Sequence, residues 1–250
     1  MCAEKLSPEE ILKDIRSMKI RGAAEIGRKA SLALRLYAER ELVSDHEEYI
    51  AKLKRFAKRA LSTRPTAITL WSGITRTLKD VEKTKSSKDA LDCVQRNSEG
   101  FIKASYKAIE QIAEMAARRI PRDSVIMTHC NSSAAVAAIV RAHEQRKVKM
   151  VYTTESRPRL QGRITAKQLA EKKVPVTYIV DSAMRYYMKD VDIVIVGADT
   201  IASNGAIINK IGTSQLALIA HERRVPFLVC AESYKFSPQT YHGRLVTIEE

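Results

Sequence analysis

Cysteine is scarce: four stand among 250 residues, at Cys2, Cys93, Cys130 and Cys230, and no two form a C-x-x-C pair. That spacing suggests neither a zinc site nor a disulfide framework, and thiols that stay reduced suit an intracellular chain. Aromatic residues make up 6%, and without interleaved aromatic and basic residues or zinc-finger spacing a nucleic-acid module finds little support. Nine glycines and seven prolines are too few for a collagen-like or low-complexity chain. Long apolar runs are missing as well. Stretches such as Ile193 to Val196 fall far short of the about 20 residues a membrane span needs, and the charged start MCAEKLSPEEILKDIRSMK lacks the apolar centre of a signal peptide. A cytoplasmic protein with no membrane partner is expected.

What is present is globular composition, 45% hydrophobic and 29% charged, enough for a sizeable core. The net charge is +14, and residues 51–150 carry 21 Lys and Arg against 9 Asp and Glu. A basic middle of this kind fits an anionic substrate, a nucleic acid or a solvated helical face, and composition alone leaves the three open.

Two patterns divide the chain. In Ser7-Pro8-Glu9-Glu10 a capping serine, a proline at the first helical position and acids in the first turn announce a helix. After a break at Lys19 to Gly22, the stretch AAEIGRKASLALRLYAER, then Tyr49–Leu61 and Phe101–Ala117, repeat apolar residues every three or four positions, the spacing of a helical bundle. Ser62 to Thr66 and Ser86-Ser87-Lys88-Asp89 carry turn residues. Past Pro121, short β-branched runs at Val125–Thr128, Lys149–Thr153, Val176–Val180, Ile193–Val196 and Phe227–Cys230 alternate with helical segments such as Ser133–Arg146 and Thr213–Arg223. Runs without polar alternation predict strands buried on both faces, hence a parallel sheet wrapped by helices. The expected architecture is α/β: a helical domain over 1–120 and a Rossmann-like parallel-sheet domain over 121–250.

Parallel sheets collect ligands beyond the carboxyl ends of their strands, where helix N-termini offer free N–H groups. By that rule Cys130, between the first strand and its helix, is a candidate base or nucleophile whose thiol the helix dipole would acidify; the plainer reading is a small buried cysteine. His129, alternating with it, reads as structural. Asp199 follows the fourth strand in Gly197-Ala198-Asp199-Thr200, ahead of Asn209-Lys210-Ile211-Gly212-Thr213, an acid beside a possible phosphate cradle, although an Asp there is more often a turn residue. Lys235 lies beyond the fifth strand. The loop Thr154 to Arg163 offers Arg, Gln161 and Gly for sugar or phosphate. Arg21 and Arg64 are the arginines placed at turns of the helical half, and each alone reads as surface.

Taken together, IRGA (20–23), STRPT (62–66), THCNSS (128–133), TESRPRLQG (154–162), GADTIASNGAIINKIGT (197–213) and AESYKF (231–236) resemble one family in order and register, over nearly all of residues 15–248. That family unites sugar-phosphate isomerases, namely methylthioribose-1-phosphate isomerase and archaeal ribose-1,5-bisphosphate isomerase, with the regulatory subunits of translation initiation factor 2B. The resemblance implies an N-terminal helical domain and a C-terminal Rossmann-like domain. Cys130 and the Gly-Ala-Asp ending in Asp199 are similar to the isomerases, where the translation subunits carry Ser and lack the acid. Cys130 to Ser133, Gly197 to Thr200, Val180 to Ala183 and Ala231 to Phe236 look closer to the ribose-1,5-bisphosphate branch.

On that resemblance the chain is expected to convert ribose 1,5-bisphosphate to ribulose 1,5-bisphosphate. Cys130 and Asp199 are the catalytic base and acid. Arg21, Gly22, Ala23, Ala24, Arg64, Ser132, Ser133, Ala134, Gln161, Asn209, Lys210 and Lys235 bind substrate. No metal or cofactor is implied, and the chain is expected to form a homo-oligomer, a dimer or hexamer. The alternatives are a methylthioribose-1-phosphate isomerase or a non-catalytic regulator that binds initiation factor 2. Departures from the family are Ala24 where it usually has Gly, Ser133 where a lysine is expected, and no N-P-x-F-D-x-T-P-like stretch within the 250 residues.

Overall fold

The computed structural model describes residues 7–237. Its backbone divides into two compact units, one ending at Tyr106 and the other beginning at Lys107.

The first unit is helical. Helix α1 (Pro8–Arg16) opens with the box the sequence announces: the Ser7 hydroxyl accepts from the Glu10 N–H, and the Glu10 carboxylate accepts from the Ser7 N–H, so two orphan donors are satisfied reciprocally. Helices α2 (Ala23–Arg40), α3 (His46–Leu61) and α4 (Ile68–Thr77) follow, then the start of α5 (Ser87–Arg119). Ile11, Ile15, Leu34, Tyr49, Leu53, Phe56, Leu70 and Ile74 fill one core; the Tyr49 hydroxyl donates to the Ala38 carbonyl at 2.8 Å, and Tyr37 stacks on Phe56. The residues read as a turn at Ser86 to Asp89 instead begin α5: the Ser86 hydroxyl accepts from the Asp89 N–H at 3.1 Å, since the serine that favours a turn also caps a helix. The division at Tyr106 falls inside α5, and the boundary expected near residue 120 lies at its C-terminal end.

In the second unit, β1 (Ser124–Thr128), α6 (Ser133–Glu144), β2 (Val148–Thr154), α7 (Gln161–Glu171), β3 (Val176–Ile179), α8 (Met184–Tyr187), β4 (Ile193–Val196), β5 (Thr200–Ile201), β6 (Ile207–Ile208), α9 (Thr213–Glu222) and β7 (Phe227–Val229) succeed one another. Five strands form a sheet in the order β3-β2-β1-β4-β7, every pairing parallel. Alternate residues serve opposite faces: Ile126, Ile193 and Ile195 pack with Ala138, Ile139 and Leu169 of α6 and α7, whereas Met127, Val194 and Val196 pack with Met184, Leu216 and Ala220 of α8 and α9. Both faces are apolar because both are covered. The expectation of full burial holds for β4; the edge strands β3 and β7, with a neighbour on one side only, are partly exposed, and so is the first half of the interior strand β2. The antiparallel pair β5 and β6 leaves no sign in the sequence, because its two-residue strands are too short to show a period. Among the described residues no helix is long and apolar enough to cross a membrane.

Candidate active site

The order 3-2-1-4-7 places a topological switch between β1 and β4, from which the chain departs to opposite sides, and the crevice beyond their carboxyl ends is where such sheets bind ligands. Cys130 is two residues past β1 and Asp199 three past β4, so the two residues assigned to chemistry flank that point. The loops approach closely there: a Cβ on Gly197 would collide with Ser132, so the residue ahead of Ala198 and Asp199 has to be glycine.

Cys130 is held in a left-handed conformation, φ 68°, rare for a residue with a Cβ. Its N–H donates to the Ser156 hydroxyl at 2.7 Å, and its carbonyl accepts from the Thr165 hydroxyl at 2.8 Å. The side chain of Asn131 donates to Thr165 Oγ1 and Gln168 Oε1 on α7. Ser132 caps α6, its hydroxyl accepting from the Ala135 N–H; Ser133 is exposed at the first helical position, and Ala134, next to it, is fully buried in the core.

His129 is buried. Its Nε2 lies 2.6 Å from the Ile211 carbonyl, which only accepts, so Nε2 carries a hydrogen; Nδ1 faces the Thr154 hydroxyl at 2.5 Å and Ser156 Oγ at 3.3 Å. The ring thus joins the ends of β1 and β2 to the β6–α9 loop. Gly212 (φ 96°) lies against it, and a Cβ there would stand 2.8 Å from His129 Cε1. Asp181, after β3, accepts from the N–H groups of Ser156 and Arg157 at 2.8 Å each and so fixes the loop ahead of α7. On that helix Gln161 Oε1 is buried without a hydrogen-bond partner.

The Asp199 N–H donates to the Ile208 carbonyl, which sets Asp199 at the root of the β5–β6 hairpin. Beyond it Asn209 donates to Thr213 Oγ1 at 3.0 Å, and Lys210 is buried. Lys235, only 3% exposed, is ion-paired with the 1% exposed Glu232 at 2.7 Å, whose carboxylate also accepts from the Tyr234 hydroxyl. Burial, aided by the Glu232 charge and opposed by Lys235, pushes the nearby Cys230 thiol up to about 12, which keeps it protonated and unreactive. Cys130, by contrast, is half-buried.

The remaining expected residues lie in the first unit. Arg21 is exposed, its Nε donating to the Met18 carbonyl at 2.7 Å. Gly22 precedes α2, Ala23 opens that helix, Ala24 is buried, and Arg64 stands half-buried in the turn before α4, its carbonyl accepting from the Ala67 N–H. Ser156, Thr165, Asp181 and Glu232 have no expected role in the sequence. Three of them stand inside strings already singled out, and Thr165 is one helical turn past Gln161.

A family model described as the Initiation factor 2 subunit family matches residues 19–250. The chain is 48% identical to ribose 1,5-bisphosphate isomerase of Archaeoglobus fulgidus over 245 residues, covering 97% of this chain and 77% of that one. It is 45% identical over 250 residues to ribose 1,5-bisphosphate isomerase of Methanocaldococcus jannaschii, covering 98% and 80%. Among solved structures, one titled as the Pyrococcus horikoshii OT3 translation initiation factor eIF-2B superposes with a TM-score of 0.86 at 28% identity, covering all of this chain and 86% of that one.

Proposed function

The chain belongs to the Initiation factor 2 subunit family, and from that premise we propose that it is an aldose-ketose isomerase converting ribose 1,5-bisphosphate to ribulose 1,5-bisphosphate. The observation that carries this reading is the placement of Cys130 and Asp199 at the carboxyl ends of the adjacent strands β1 and β4. It is supported by identity of 45–48% to two archaeal enzymes of that name.

The chemistry closes on these two side chains. Asp199, protonated, gives its proton to the ring oxygen as the bond from that oxygen to C1 breaks. The Cys130 thiolate removes the proton on C2, and those electrons form the C1–C2 double bond of an enol that keeps its phosphate on C1. The thiol returns the proton to C1 while the 2-hydroxyl loses its own to the Asp199 carboxylate. The C2 ketone forms, and both groups recover their starting states, with no external oxidant or reductant. The acid must be shielded enough to hold a proton and the thiol near enough to a helix start to lose one.

Lys210 and Lys235 are assigned to phosphate, with the backbone of Ser132, Ser133 and Ala134 at the start of α6, and Gln161 and Asn209 to the sugar hydroxyls. The assignment of Arg21, Gly22, Ala23, Ala24 and Arg64 to phosphate rests on the resemblance of IRGA and STRPT. A homo-oligomer in the cytoplasm is the proposed working form.

The likeness to the structure titled eIF-2B favours a second reading, a non-catalytic partner of initiation factor 2. Incubating the protein with ribose 1,5-bisphosphate and following ribulose 1,5-bisphosphate separates the two. Turnover supports the isomerase; no turnover together with capture of initiation factor 2 overturns it.

A further inference from the structure

We infer that Ser156 and Thr165 are positioning residues for the isomerisation, a pair of hydroxyls that clamps the two backbone polar groups of Cys130 and thereby sets the direction of its thiol. The inference rests on the isomerase reading for its kinetic consequence but not for its geometry.

A left-handed φ brings Cβ close to the following carbonyl, so an L residue leaves that conformation unless its surroundings hold it there. Cys130 is held on both sides: its N–H by Ser156 Oγ at 2.7 Å and its carbonyl by Thr165 Oγ1 at 2.8 Å. The two holders come from different elements, the loop after β2 and the second turn of α7, and each is itself fixed. Ser156 is buried, and its N–H donates to Asp181. Thr165 is 1% exposed, and its oxygen accepts from Asn131 at 2.9 Å; because the Cys130 carbonyl only accepts, the Thr165 hydrogen points to it. Because φ fixes the Cα–Cβ vector, releasing either hydroxyl lets the backbone relax and swings the sulfur away from the carbon it has to deprotonate. A misplaced base lowers the rate of the chemical step and leaves substrate binding nearly unchanged.

The test uses the full chain with Thr165→Val, which keeps the shape and removes the hydroxyl, Thr165→Ser, which restores it, and Ser156→Ala. Two readouts are taken: kcat and KM with ribose 1,5-bisphosphate, and the rate and pH profile of Cys130 alkylation by iodoacetamide, followed on the peptide that contains it. Thr165→Val and Ser156→Ala are expected to lower kcat at least tenfold with KM within threefold of the parent, and to shift the alkylation rate at least threefold. Thr165→Ser is expected to return both to within threefold. A Thr165→Val protein that keeps parental kcat and alkylation, or a loss that Thr165→Ser does not repair, overturns the inference. Should the unaltered chain show no turnover, the isomerase reading fails, and the alkylation rates still decide the clamp. Should Thr165→Val not fold, Ser156→Ala decides by the same two readouts.

Discussion

Replacing Gly212 by alanine strains the site twice. At φ 96° an L residue lies outside the ordinary left-handed well, and entering that half of the map costs about 1–2 kcal/mol. The added methyl would also stand 2.8 Å from Cε1 and 2.9 Å from Nε2 of the buried His129 ring, closer than carbon atoms pack. The ring has to shift from the Ile211 carbonyl, which it now meets at 2.6 Å, and loosening a buried hydrogen bond adds about 1–2 kcal/mol. A total of about 2–4 kcal/mol, at about 2–4 °C per kcal/mol for a chain of this size, puts the loss in Tm near 5–15 °C. Because that loop carries Lys210, KM for the bisphosphate should rise as well. Gly100→Ala is the control. That glycine lies exposed within α5, nothing stands within 4 Å of the added carbon, and helix propensity makes the change stabilising by about 0.5–1 kcal/mol. Scanning calorimetry on both variants reads the difference. A Gly212→Ala protein that melts within about 2 °C of the parent, while Gly100→Ala shows its small gain, would refute the claim that the His129 contact fixes this loop.

Lys235→Met should leave the Glu232 carboxylate buried and unpaired and destabilise the fold by about 3–5 kcal/mol, besides weakening substrate binding about 10- to 150-fold. Adding Glu232→Gln should recover most of the stability in urea titrations while KM stays high; recovery of both would remove Lys235 from the phosphate site. Lys54→Met and Lys58→Met, on the exposed face of α3, should change KM less than about threefold, because surface charges beyond a Debye length are screened. Stability should fall as pH rises from about 9 toward 12. Over that range the unfolded chain loses the Cys230 proton and the native chain, with its thiol pushed up to about 12, keeps it. Cys230 contributes a slope of up to about 1.4 kcal/mol per pH unit, and Cys230→Ala should remove that share in chemical melts run at each pH, leaving the fall above about pH 10 that the Tyr49 phenol, likewise pushed up to about 12 by burial, adds. Light scattering at micromolar concentration should report a particle of at least twice 28.1 kDa; a monomer would contradict the proposed assembly.

Much of the fold is legible because it is local. The Ser7 box and the five apolar β-branched runs depend on neighbours a few residues away, and each of those runs matches a strand of the sheet to within one residue at either end. What escaped depends on partners. The two-residue strands β5 and β6 exist because Thr200 and Ile201 pair with Ile208 and Ile207, and Ser86 reads equally as turn or cap until α5 grows from it. At the site, Cys130 and Asp199 stand out because strand ends are visible in sequence, and the roles proposed for them come from the resemblance. Ser156 and Thr165 were given no role because their function lies in contacts made 26 and 35 residues away, and His129 shows its part only once the Ile211 carbonyl is brought to its ring. Glu232, plain in the sequence, gains meaning from being buried against Lys235.

The most direct test of the two-residue chemistry is the rate at which ribulose 1,5-bisphosphate appears from ribose 1,5-bisphosphate with the unaltered chain, Cys130→Ser and Asp199→Asn compared under identical conditions. The account predicts turnover by the unaltered chain and losses of at least about 100-fold in each variant, the scale on which a positioned acid or base contributes, with both variants folded. Full activity in either variant, or none in the unaltered chain, would contradict it.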